Sequence, residues 1–330
     1  DYLYLNQGDG TFKEVIEETV SHTSRFSMGN DVADFNNDGH PDIITLDMLP
    51  RDEKVIKASV GEDSYEVYKF KLSYGYYYQV SRNALQLNLG NGHFSDIALL
   101  SGVADTDWSW APLLADFDND GYKDIFITNG IVRRPNDLDY LNFISSDSAQ
   151  ALPDAELFKK MPEGKVGNFI FRNAGNLSFG NKSIEWGVDL PSYSNGAAYS
   201  DLDNDGDLDL IVNNIDQQAF VYRNSLSDST RHYLQISLQG YAFNSFGLGT
   251  KVFAFWEGKE IYHELAPTRG YESSVDYKLT IGLGNSSHLD SMWVIWPDRK
   301  FQVFRKLNVN QSLNVDYRDA DKIFDFRKLS

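Results

Sequence analysis

Three stretches of the chain set carboxylates at alternate positions ahead of an apolar run: ADFNNDGHPDIITL from Ala33, ADFDNDGYKDIFIT from Ala115 and SDLDNDGDLDLIVN from Ser200. They share the pattern D-x-[DN]-x-D-G-x-x-D. When the backbone curls, side chains at the first, third and fifth positions converge, and glycine at the sixth permits the sharp turn that such a loop requires. The convergent sets are Asp34, Asn36 and Asp38; Asp116, Asp118 and Asp120; and Asp201, Asp203 and Asp205. Asp42, Asp124 and Asp209 at the ninth position complete an oxygen cage, while His40, Tyr122 and Asp207 at the seventh offer their backbone carbonyls. These are three expected Ca2+ sites. An EF-hand needs a bidentate Glu at the twelfth position, where this chain has Thr45, Ile127 and Val212. A flexible all-oxygen cage suits calcium better than magnesium, and the softer metals find no ligands in it. The plainer alternative is a solvated Asp/Asn/Gly turn, since these residues favour turns in any case.

The elements that hold the loops recur with them. LYLNQGDGTF, LQLNLGNGHF and FIFRNAGNLSF match one another, and 28 residues beyond the Asn of each (Asn6, Asn88, Asn173) comes the Asp that opens a loop. Each unit reads as four short antiparallel strands with the acidic loop before the last, which describes a propeller blade. A further copy of the first strand, AFVYRN, ends at Asn224 and either begins or closes another blade. Two insertions, residues 48–82 and 131–167, contain helix-spaced pieces such as PNDLDYLNFISS and LPDAELFKKM. They pack over the rim or shape a binding surface.

Beyond Asn224, residues 232–317 alternate apolar and polar positions between Gly, Asn and Pro turns, as a small β-sandwich or barrel does. The expected architecture is all-β: residues 1–225 a partial propeller of four-stranded calcium-loop blades with helical insertions, residues 226–330 a small β domain. Three blades cannot close a ring of roughly 4 to 8, so further blades are expected before residue 1.

Composition narrows the function. A formal charge of −18 without basic clusters speaks against nucleic acid and leaves cations as natural partners. There is no cysteine, and no apolar run approaches the roughly 20 residues that span a bilayer. Nothing reads as a nucleophile elbow or a two-histidine zinc motif. Paired carboxylates for glycoside chemistry stay open among so many acids, although calcium accounts for most of them. The other candidate surface is aromatic: Tyr74, Tyr76, Tyr77 and Tyr78, with Trp108 and Trp110 on one strand face, as core or as a ligand platform. The same choice applies to Trp293 and Trp296.

The repeats resemble FG-GAP/VCBS repeats, the calcium-loop repeats of integrin-like propellers. HYLQISLQG, GLGTKVFAF, RGYESS, LTIGLGN, MWVIWPDRK and LNVNQSLNVDY, in that order, resemble the ASPIC/UnbV domain that follows such propellers in cartilage-acidic-protein-like and bacterial surface proteins. The absence of cysteine favours a bacterial source. The resemblance implies a calcium-stabilised module, more readily non-enzymatic than not, at the outside of a cell or the bacterial outer-membrane surface. It would be held there by a lipid anchor in a missing N-terminus and serve adhesion, glycan capture or assembly of a surface uptake complex. A polysaccharide lyase or hydrolase on the same scaffold is the alternative.

Overall fold

The computed structural model describes residues 1–226 and 230–326. The chain opens with a hairpin, β1 (Tyr4–Asn6) and β2 (Phe12–Glu14), whose strands pair only with each other among the described residues. A short strand, β3 (Thr23–Ser24), is paired in parallel with β6 (Gln79–Val80). The first blade is the antiparallel sheet β4 (Asn30–Ala33), β5 (Asp42–Thr45), β7 (Ala84–Asn88) and β8 (Phe94–Asp96). The second runs β9 (Ser109–Ala115), β10 (Asp124–Asn129), β11 (Phe169–Asn173) and β12 (Phe179–Asn181). The third has three strands, β13 (Ser194–Ser200), β14 (Asp209–Asn214) and β15 (Phe220–Tyr222).

These pairings shift the phase of the repeat. The Asn88 and Asn173 hairpins each join the sheet of the acidic loop that precedes them, so LQLNLGNGHF completes the blade of Asp34 rather than opening that of Asp116. AFVYRN accordingly closes the third blade as its last strand. The insertions lie inside blades, between second and third strands, and carry the expected helices. Glu53–Ala58, Tyr65–Ser73 and Leu138–Ile144 are capped by Asp52, Ser64 and Asp137, and Asp154–Lys160 follows Pro153.

Strand alternation packs blade on blade. Along β10, Ile125 and Ile127 point into a core shared with Phe35, Ile44 and Leu85 of the first blade. Phe126 between them points the other way, toward Leu210 and Val212 of the third. The whole strand is therefore buried, which fits its β-branched and aromatic composition.

The chain continues as β16 (His232–Gln239), β17 (Lys251–Trp256), β18 (Lys259–Glu264), β19 (Thr268–Arg269), β20 (Ser273–Ser274), β21 (Lys278–Gly284), β22 (His288–Ile295), β23 (Lys300–Asn308), β24 (Gln311–Asp316) and β25 (Lys322–Ile323). Sheets β21-β16-β24 and β18-β17-β22-β23-β25 enclose Leu234, Ile236, Val252, Ile281, Met292 and Val294, a sandwich. Trp296 is 2% exposed and is a core residue, while Trp293 is half-buried and packs on Phe255 and Phe324.

The β19–β20 hairpin leaves the sandwich and lies against β4, β9 and β13, the innermost strands of the blades. There Arg269 donates Nη1 to Asp31 Oδ1 at 2.8 Å and to the Val32 carbonyl at 3.1 Å, while Asp31 Oδ2 accepts from Leu114 N–H at 2.7 Å. Trp110 packs against Tyr271 of the hairpin with ring centroids 5.2 Å apart and planes tilted by 58°, and its Nε1 donates to the Gly130 carbonyl. Trp110 is thus a packing residue between the two parts of the chain. Trp108 precedes β9 and is half-buried.

Candidate metal centres

Each acidic loop is closed by its own first and last carboxylates. Asp116 accepts N–H groups from Asp120 (3.0 Å) and Gly121 (2.8 Å), and Asp34 and Asp201 repeat this with Asp38 and Gly39 and with Asp205 and Gly206. The ninth-position carboxylates tie the loop to the blade. Asp124 accepts from Phe117 and from Asn173, Asp42 from Phe35 and Asn88, and Asp209 from Leu202 and Asn224. These N–H groups fix the carboxylates and leave lone pairs for a cation.

Oxygens of Asp116, Asp118 and Asp124 lie within 4.8 Å of one another, as do those of Asp201, Asp203 and Asp209. Both triads can hold a metal ion. The first loop carries an amide at the third position where the other two carry a carboxylate, so Asp34, Asp38 and Asp42 make no group of three carboxylates among the described residues, and Asn36 donates Nδ2 to Asp38 at 2.9 Å. Asp120 and Asp205 fall outside these two groups. Arg172 holds Asp118 (2.6 Å) and Asp120 (2.7 Å), and Arg223 holds Asp203 (2.7 Å) with Asp205 at 3.8 Å.

The seventh-position side chains point away from the cages. Each His40 and Tyr122 ring lies against the hairpin glycine of its own blade, Gly90 or Gly175, where an added Cβ would approach the ring to 2.7 or 3.1 Å. In the third blade Leu226 stands where that glycine would be, and the shorter Asp207 accepts its N–H at 3.1 Å.

The electrostatics of the second loop would suit a cation. Burial, then the charges of Asp120 and Asp118, pushes Asp116 up to about 8, and Asp124 is raised well above the usual range by burial beside Asp116 and Asp118. Asp118 is 8% exposed and its Oδ1 has no hydrogen-bond partner. A divalent ion would satisfy that oxygen and restore the charged form of the neighbours. In the first loop burial lifts Asp42 to about 7, and Asp34 is also raised by burial.

Several residues of this region were not singled out by the sequence reading. Arg172 and Arg223 immediately precede the hairpin Asn, where the first blade has Leu87, and that RN dipeptide was a readable signal. Lys123, 4% exposed, donates Nζ to the carbonyls of Asp34 (2.8 Å) and Tyr262 (3.2 Å), and burial lowers it to about 8. Nothing local in the sequence announces that contact.

The sandwich covers the second and third loops. Gln235 donates Nε2 to Asp201 at 2.5 Å, the Tyr233 ring lies over Gly206, and Gly282 sits against Asp116 and Asn119. Nothing comes within 4 Å of a Cβ placed at Gly39 of the first loop.

An FG-GAP-like repeat model matches residues 1–45 and 74–127, which contain the first two loops, and an ASPIC and UnbV model matches residues 240–322. The third loop lies outside both matches and rests on the internal repeat. Over 331 residues the chain is 24% identical to cartilage acidic protein 1 of Xenopus tropicalis, covering 97% of this chain and 42% of that protein. The chain thus spans less than half the length of this relative. It is built of FG-GAP-like repeats followed by an ASPIC and UnbV region, distantly related to cartilage acidic protein 1.

Proposed function

We propose that the chain is a non-enzymatic, calcium-stabilised module that works outside the cell at a bacterial surface and binds glycan or holds a surface complex together. The observation that carries the binding role is the aromatic face of the first insertion. Tyr65, Phe70, Tyr74, Tyr76 and Tyr78 are each at least half exposed, and the Phe70 and Tyr74 rings pack with centroids 4.6 Å apart at a tilt of 45°. Exposed rings gathered in one segment mark an interaction surface, and their flat faces suit the C–H faces of sugars. Beside them is a cleft of about 450 Å³ lined by Tyr65, Tyr68 and Tyr77, with Arg25, Asp63 and Lys71 as a polar edge. Tyr77 is committed to the fold, donating its hydroxyl to the Val20 carbonyl at 2.6 Å.

Calcium serves this face from a distance. The first loop enters β5 at Asp42 and the insertion leaves beyond Thr45, so cation and aromatic face occupy opposite ends of one strand. Millimolar calcium outside cells fills even weak sites, which supports that location. The test is a polysaccharide panel with two readouts, binding and product formation. Tyr74→Ala, Tyr76→Ala and Tyr78→Ala, all surface changes, should keep the melting temperature and weaken binding about tenfold or more when combined. Reproducible release of unsaturated products or reducing ends would overturn the binding role in favour of a polysaccharide-active enzyme.

A further inference from the structure

The fourth residue of every acidic loop is asparagine, and Asn37, Asn119 and Asn204 all adopt left-handed backbone conformations (φ 60°, 53° and 60°). Asparagine tolerates that conformation, but its side chain here does something else. Asn37 donates Nδ2 to the carbonyl of Gly121 in the second loop at 2.8 Å, and Asn119 donates Nδ2 to the carbonyl of Gly206 in the third at 3.1 Å.

The peptide unit that accepts each bond is also a donor. The Gly121 carbonyl shares its peptide with the Tyr122 N–H, which bonds Asp120 Oδ1 at 2.9 Å. The Gly206 carbonyl shares its peptide with the Asp207 N–H, which bonds Asp205 Oδ1 at 3.3 Å. A relay therefore runs from the fourth residue of one loop, through a single peptide, to the fifth-position carboxylate of the next. Hydrogen bonds in such chains polarise and strengthen one another. A return path exists as well: Lys123 of the second loop holds the Asp34 carbonyl of the first.

From this we infer that the three loops take up divalent cations cooperatively, as one array coupled through Asn37 and Asn119. The inference rests on the reading of the loops as cation sites. A cation that orders one loop fixes its asparagine, which orients the peptide of the next loop and lowers the cost of ordering that loop around its own ion. Linkage makes the effect reciprocal. Asn204 makes no such bond among the described residues and marks the end of the array.

The test is titration of chelated protein with calcium against a competing chromophoric chelator. Wild type should bind with a Hill slope above one. Asn37→Gly and Asn119→Gly keep the positive φ without strain. They should keep the same number of bound ions but lower the slope, with a loss of coupling of roughly fivefold for each bond. Asn204→Gly should leave the slope unchanged, which a general loosening of the loops would not do. A wild-type slope of one, or slopes unchanged in both coupling variants, overturns the inference while the sites stand. Absence of any bound calcium overturns the cation reading itself, and the array with it.

Discussion

At the scale of single residues, the site is defined by charge that the fold has buried without neutralising. Asp116 held at about 8 and Asp42 at about 7 lie far above the ~3.9 of an unfolded aspartate. Between about pH 4 and pH 8 the cation-free folded protein thus binds more protons than the unfolded chain, and its stability falls as pH rises through that window. The slope is ~1.4 kcal/mol per pH unit for each such proton. On the proposed reading calcium would replace the protons and should flatten the dependence. Melts from about pH 5 to about pH 8, with chelator and with calcium, check this, and a melting temperature that rises with pH under chelation would contradict it. Lys123 gives a second residue-scale prediction. Lys123→Met strands the buried carbonyls of Asp34 and Tyr262 and should cost ~1–3 kcal/mol in urea unfolding.

At the scale of elements, a blade is a loop tied to its own hairpin and to the preceding blade. Asn173 Nδ2 bonds the carbonyls of Lys123 in its own blade (3.0 Å) and Phe35 in the one before (2.8 Å). Asn224 does the same with Leu208 and Phe117. Asn173 and Asn224 are therefore rivets between blades, whereas Asn88 Nδ2 bonds only the Pro41 carbonyl of its own blade among the described residues. The spacing of the asparagines was legible; the partners across blades were not, because they lie in another repeat. The glycines divide similarly, between the acidic loops and the insertion. Gly206 has φ +99° and a methyl there would meet the Tyr233 ring at 1.9 Å, so Gly206→Ala should destabilise by roughly 1–3 kcal/mol. Gly61 has open space and no positive φ, so Gly61→Ala should be neutral or slightly stabilising. Chemical denaturation of the pair gives the comparison.

At the scale of the whole molecule, the sandwich sits on the cation loops and sends its β19–β20 hairpin to the inner strands. Gln235, Tyr233 and Gly282 meet Asp201, Gly206 and Asp116, so on the proposed cation reading loop order and docking form one equilibrium. Chelation should lower the melting temperature of the full chain and expose the 240–250 segment to protease. Calcium should restore both more effectively than magnesium, whose reluctance to dehydrate suits these cages poorly. An unchanged melt and an unchanged digest under chelation would contradict the staple role.

The sequence by itself determined the loops, the strands around them and the β character of the C-terminal part, because these depend on local spacing. Carboxylates at alternate positions, glycine at the turn and period-two apolar runs act within a few residues of one another. Only the tertiary structure decided which hairpin completes which blade, that Trp110 and Trp296 are packing residues while Tyr74, Tyr76 and Tyr78 face outward, and that the sandwich packs on the acidic loops. Those outcomes depend on partners far apart in the chain, such as Lys123 with Tyr262 or Arg269 with Asp31, and no local pattern encodes a contact of that range.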